Sequence, residues 1–145
     1  MNKLIYYFLT TTTLAVTFLV TSVMKVDSKP LGINLKFDTN TQTIQGSTGG
    51  PINSKGCGYV ASSPNHVINI PKRVDYMRLT VQASGGQPTL LVKGPSSRDS
   101  FCVLGDAVSG FKPEMSGVWE PGEYKIFIGD LTGKNHQFTL NISTK

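Results

Sequence analysis

Hydrophobic and polar positions alternate along much of this chain with a period of two, the pattern that a half-buried extended strand imposes. The clearest stretch is residues 117–129, GVWEPGEYKIFIG. Beyond Pro121 and Gly122, the residues Tyr124, Ile126 and Ile128 share one face while Lys125, Phe127 and Gly129 share the other. Pro121 presets φ for the first turn position and Gly122 accepts φ > 0 at the next, which predicts a type II turn feeding a strand. Residues 74–83 predict the other long strand, with Met77, Leu79, Val81 and Ala83 inward and Tyr76, Arg78, Thr80 and Gln82 outward.

Shorter strands are predicted at 33–37, at 41–45 as an edge, and at 57–61, 66–70, 89–93, 101–104 and 136–142. Val67 and Ile70 are core candidates on one of these, and Phe138, Leu140 and Ile142 on another. Between them stand turn-rich segments: GSTGGP at 46–51, SSPN at 62–65, SGGQP at 84–88 and GPSS at 94–97. A loop is expected at 105–114. Turns recurring at intervals of about 8 to 12 residues favour a sandwich over alternating strands and helices. The expected fold class is all-β: an antiparallel, jelly-roll-like β-sandwich in a single domain over residues 33–145, preceded by an N-terminal signal helix. Composition agrees, since 15 Gly and 8 Pro suit strands joined by tight turns.

The N-terminus changes the picture by naming a compartment. Lys3 precedes a largely apolar run over 4–23, the layout of a secretory leader. Residues 1–24 are expected to be a signal peptide, cleaved after Ser22 or near Ser28, with an uncleaved membrane anchor as the alternative; residues 25–32 are expected to be a linker. The expected location is secreted or periplasmic, or anchored and facing the periplasm. In an exported chain the two cysteines, Cys57 and Cys102, read first as a disulfide. Two buried free thiols would suit a cytosolic protein instead. A net charge of +5 favours solubility, but its basic residues are scattered apart from Lys72-Arg73, and no aromatic stacking platform accompanies them. No nucleic-acid partner is expected, and contact with a membrane only through an uncleaved N-terminal segment.

Candidate chemistry is sparse. Thr48 stands where the serine would be in a loop that resembles the nucleophile loop of chymotrypsin-like proteases, yet no histidine precedes it to act as base. A flexible turn is the expectation there. His66 and His136, 70 positions apart, read as solvated or hydrogen-bonded strand-end residues. Glu114, Glu120 and Glu123 cluster around turns and read as solvated, not as a paired acid and base. Catalytic residues, cofactors and metal ligands are all expected to be none. The candidate binding surface is aromatic: Tyr59, Tyr76, Trp119 and Tyr124, with core packing as the competing role.

A chain of short motifs adds a resemblance. Gly46-Ser47-Thr48-Gly49-Gly50, Cys57-Gly58-Tyr59-Val60 with Pro64-Asn65-His66, residues 89–95 (TLLVKGP), Phe101-Cys102 and residues 121–129 (PGEYKIFIG) occur in an order that resembles secreted bacterial β-sandwich domains similar to pre-peptidase C-terminal domains. The resemblance implies an appendage-like, non-catalytic sandwich with a role in binding or structure. Acidic motifs common in the family read Gln87-Pro88-Thr89 and Val103-Leu104-Gly105 here. Asp106, even with Asp99, cannot supply the six to eight oxygen ligands calcium takes, so no calcium site is expected. The expected function is an exported binding or structural module whose partner is an unidentified envelope protein or polysaccharide. The alternative is a protease regulator acting in trans through a protruding loop at 106–116.

Overall fold

In a computed structural model, residues 32–34 and 41–144 are described. The expected leader, residues 25–31 of the linker and residues 35–37 of the first predicted strand lie outside them. Among the described residues, eleven strands make two packed sheets. They are β1 (Gly32–Asn34), β2 (Thr41–Ser47), β3 (Ile52–Asn53), β4 (Tyr59–Val60), β5 (His66–Ile70), β6 (Val74–Ala83), β7 (Pro88–Lys93), β8 (Ser100–Leu104), β9 (Glu114–Trp119), β10 (Gly122–Asp130) and β11 (Gln137–Thr144). One sheet runs β2-β11-β6-β9. In the other, β10 is central, with β7 and then β8 along one edge. Its opposite edge is shared by β5 and β4, which carry β1 and β3 respectively.

The pairing is antiparallel throughout except for β1, which runs parallel to β5. The expected antiparallel sandwich therefore holds, with one parallel edge added. Along β10, Ile126 pairs with His66 of β5 and Asp130 with Tyr59 of β4. That leaves a gap at Ile128, whose backbone N–H donates to Oδ1 of Asn65 at 2.7 Å. The amide of Asn65 also donates to the carbonyl of Ser47 at 3.3 Å. One side chain thus closes the gap in one sheet and ties it to the other, as a buried donor requires.

The inward faces meet in a single cluster that includes Met77, Leu79, Val81, Leu90, Val92, Ile126, Ile128, Leu140 and Ile142, from both sheets. β10 departs from simple alternation. Phe127 points outward yet is 8% exposed, because the segment carrying β3 and β4 folds across that face. Phe127 joins Leu91, Val60 and Cys57 in a second, smaller core. Gly129 permits the overlap, since a Cβ there would collide with Oγ1 of Thr89 and the carbonyl of Tyr59. Cys57 is bonded to Cys102 on the edge strand β8, with a Cα separation of 5.7 Å.

The turn into β10 differs from the predicted type II geometry. Gly122 has φ of 151°, far from the roughly +80° of that turn, and is already the first residue of the strand. Its lack of a Cβ serves a close approach, because Pro95 packs directly against it.

His66 also corrects an expectation. It shares the inward parity of Ile68 and Ile70 on β5, is 3% exposed, and its Nε2 has no hydrogen-bond partner among the described residues. Burial holds its imidazole below the ordinary value of 6.5. The unfolded chain therefore takes up this proton first as pH falls, so stability drops below about pH 6.5 and levels off once the folded state is protonated too. Replacing His66 with Leu should flatten that dependence in urea titrations at about pH 7.5 and about pH 5.5. Equal slopes in the two proteins would rule the account out.

Candidate binding groove

The strands β8 and β9 each border one sheet, and among the described residues each pairs with a single neighbour. They border the same side of the sandwich, which leaves a seam there. In β9, Met115, Gly117 and Trp119 face inward, opposite Leu79, Met77 and Val74 of β6, while Glu114, Ser116 and Val118 face out. The middle inward position thus carries no side chain. Gly117 has φ of 152°, which glycine accepts readily, and nothing lies within 4 Å of where its Cβ would be.

The consequence is a groove of about 330 Å³ over Gly117. Phe101 of β8 and Met115 of β9 flank it, Trp119 and Tyr124 close its inner end, and Asp99 and Glu120 stand at the rim. Phe101 and Val118 are about half exposed at 52% and 53%. The buried wall is firmly built. The Trp119 indole N–H donates to the carbonyl of Met77 at 3.1 Å, and its ring meets Tyr124 edge-on at 4.9 Å between centroids. The Tyr124 hydroxyl donates to the carbonyl of Glu120 at 3.0 Å. Burial, together with the charges of Asp99 and Glu120, pushes this phenol above its ordinary pKa.

The four aromatic residues expected as a binding surface are therefore not one surface. Trp119 and Tyr124 are buried and form the groove's inner wall. Tyr59 lies on the segment crossing the other sheet, against Gly133, and Tyr76 is half-buried on the outward side of β6. Phe101, Met115 and Gly117 were missed. No sequence signal marks Phe101: it points in because Cys102 beside it points out of its sheet to reach Cys57, and that direction is set by the fold. That Phe101 sits on an edge strand, and so stays half exposed, depends on strand order.

Other candidates resolve differently. Thr48 is 1% exposed, and the expected flexible turn is a packed one. Its hydroxyl donates to the carbonyl of Lys134 and accepts from the N–H of His136, while its own N–H donates to the carbonyl of His136 at 2.8 Å. His136 is half-buried against Gly85 and Gly86, away from His66 in the other sheet. Glu114, Glu120 and Glu123 are exposed and pair with Arg78, Arg73 and Lys125. No group of three His, Cys, Asp or Glu side chains among the described residues is placed to hold a metal ion. A larger, polar depression of about 670 Å³ lies beside Lys93 and Lys125. Its cations are engaged, Lys125 by Glu123 at 3.6 Å and Lys93 over the Phe127 ring at 5.3 Å.

Comparison with known proteins places this geometry. No family model matches the chain. Among solved structures, the pre-peptidase C-terminal domain of a collagenase from Bacillus anthracis overlays 79% of this chain on 95% of its own, with a TM-score of 0.55 at 18% identity. The fold is thus the pre-peptidase C-terminal sandwich. PliG, a periplasmic inhibitor of g-type lysozyme, overlays with TM-scores of 0.43 for the Salmonella Typhimurium protein and 0.45 for that of Aeromonas hydrophila, at 15% and 12% identity and over 79% of this chain in each case, against 97% and 96% of their own. Likeness at that level carries no argument. In sequence, the uncharacterized protein Synpcc7942_2126 of Synechococcus elongatus is 39% identical over 104 residues, 69% of this chain and 73% of that one. The chain, with its pre-peptidase C-terminal sandwich fold, belongs to the family of that Synechococcus protein.

Proposed function

We propose that this chain is an exported, non-catalytic β-sandwich module of the envelope or exterior, working by binding a protein partner in the groove between β8 and β9. The groove is the observation that carries this reading. It joins a half-exposed aromatic ring, an apolar floor and two sheet edges, the composition of a recognition surface and not of a reactive centre. The disulfide supports an oxidising compartment. The apolar floor favours a protein segment over a polysaccharide. The test compares the native chain with Phe101→Ala as bait in envelope extract. A protein recovered by the first and reduced at least about fivefold with the second is expected, since a half-exposed interface ring contributes on the order of 1 kcal/mol or more. Equal recovery by both would defeat the reading.

One observation favours a second reading, regulation of a protease in trans. The loop at 105–113 is held by its own hydrogen bonds. Ser109 N–H donates to Oδ1 of Asp106 at 2.7 Å, and Phe111 N–H donates to the Asp106 carbonyl at 2.6 Å. Val108 in this loop is 98% exposed. Residues 114–116, first assigned to this loop, belong instead to β9. Under this reading Val108→Asp abolishes inhibition of a target protease, and undiminished protease activity at saturating native protein disposes of it.

A further inference from the structure

We infer that the occupant of the groove is an extended peptide segment that adds as a strand to the free edge of β9, with apolar side chains filling the hollow over Gly117 and a Lys or Arg meeting Asp99 and Glu120. The inference rests on the binding reading above and specifies its ligand.

Three features on the same strand carry it. The first is the direction of the backbone groups. Val81 N–H donates to the carbonyl of Pro113, and antiparallel bonding alternates from that pair, so residues 113, 115 and 117 turn their amides and carbonyls toward β6. The intervening residues, Glu114, Ser116 and Val118, present theirs to the open edge. An extended peptide supplies the matching donors and acceptors, the usual basis of strand addition. A rounded ligand would leave them unpaired.

The second feature is the hollow itself. Residues 115–120 of β9 and its turn line the groove without a break, whereas β8 contributes Phe101 alone. A strand added to β9 projects alternate side chains onto the same inward side as Met115, Gly117 and Trp119. The one placed beside Gly117 enters space that no side chain of this molecule fills. Neighbours two positions away stand roughly 6 to 7 Å to either side, against Phe101 and Met115 at one end and toward Trp119 at the other.

Charge is the third. Among the described residues no Lys or Arg lines the groove, while Asp99 and Glu120 both do. Asp99 accepts from the Ser96 N–H through Oδ2, and Glu120 is bound by Arg73 through Oε1. Both carboxylates act on Tyr124. A cation two residues beyond the central apolar side chain, on the Trp119 side, reaches these carboxylates, which sets the end of the groove that the peptide's charge occupies. Rim charges of this kind set specificity and association rate more than affinity.

Trp119, the single tryptophan, forms part of the groove wall and reports occupancy by fluorescence in the full chain. Three ten-residue probes are titrated. The first alternates Val and Leu with Thr and carries two lysines at one end. The second is the same peptide N-methylated at alternate backbone amides, and in the third the lysines become glutamates. The first is expected to saturate at roughly tens of micromolar, and the other two to bind at least about tenfold more weakly. Phe101→Ala should weaken the first probe by a similar factor, and Val108→Asp should leave it unchanged. Equal binding of the N-methylated probe would overturn strand addition, as would a dimer at micromolar protein that the first probe fails to dissolve. Failure of every probe to saturate below about 1 mM would also overturn it. If Phe101-dependent capture from extract survives any of these, only the strand occupant falls. If capture ignores Phe101, the groove reading falls with it.

Discussion

Serine at both Cys57 and Cys102 is expected to lower the folding free energy by about 4 kcal/mol, the loop-closure value for a bridge spanning 45 positions. For a domain of this size that is a large share of the total. The structure adds a local effect to this general one. The segment carrying β3 and β4 is attached to the main sheet by few bonds. The Tyr59 to Asp130 bridge pair is one, and the Thr89 hydroxyl donating to the Cys57 carbonyl at 2.8 Å is another. Without the disulfide, these must hold down a cover whose buried apolar residues, Cys57 and Val60, pack with Leu91 and Phe127. Urea titration with and without reductant measures the global loss. Hydrogen exchange should quicken first at residues 52–60, well before β6 or β11, whose amides lie between paired strands. A loss under about 1 kcal/mol, or uniform exchange across the domain, would contradict this picture.

The same region shows what could be read in advance and what could not. β5, β6 and β7 were legible because each has an inward set of aliphatic residues bounded by turn chemistry. Met77, Leu79 and Val81 are all fully buried as their alternation requires. The outward side of β10 was not legible. Phe127 looked like a solvent-facing residue between Lys125 and Gly129, and its burial follows from a segment folding back from more than sixty positions earlier. Local alternation reports that one face of a strand is buried. It is silent on whether a distant loop covers the other.

The groove was partly legible for the same reason. Trp119 and Tyr124 were singled out as aromatic candidates, and two turn-linked strands explain why they meet. Gly117 carried no signal of its own. Its role as a missing side chain emerges only when β9 proves to be an edge and β8 the edge facing it. Edge status is set by strand order, and strand order is a long-range property. β9 itself was not foreseen as a strand, because Glu114, Met115 and Ser116 carry little hydrophobic signal.

Asp130→Ala is expected to cost about 3 kcal/mol, the largest effect of any polar substitution in the domain, although the sequence reading passed over this residue. Its side chain is fully buried at the end of β10. Oδ1 accepts from the Thr132 N–H at 2.8 Å, the Thr132 hydroxyl at 2.7 Å and the Lys134 N–H at 3.2 Å, while Oδ2 accepts from the Gln87 N–H at 3.0 Å. One carboxylate thus shapes the 131–136 turn and joins it to the turn before β7. Alanine would leave those amides without partners. Asparagine keeps one acceptor but turns an N–H₂ toward a donor, so Asp130→Asn should cost roughly half as much. The ionisation follows from the same contacts. Burial resists the charge, but the bonds from Thr132, Gln87 and Lys134 outweigh it and leave this carboxyl below its ordinary value of 3.8. A carboxyl depressed on folding stabilises at all pH values above the unfolded pKa, and that contribution disappears as pH falls through the folded one. Native protein should therefore lose stability more steeply than Asp130→Asn below about pH 4, in urea titrations stepped downward from neutral pH. Parallel acid limbs in the two proteins, or an Asp130→Ala variant as stable as the native chain, would show that the carboxylate organises nothing.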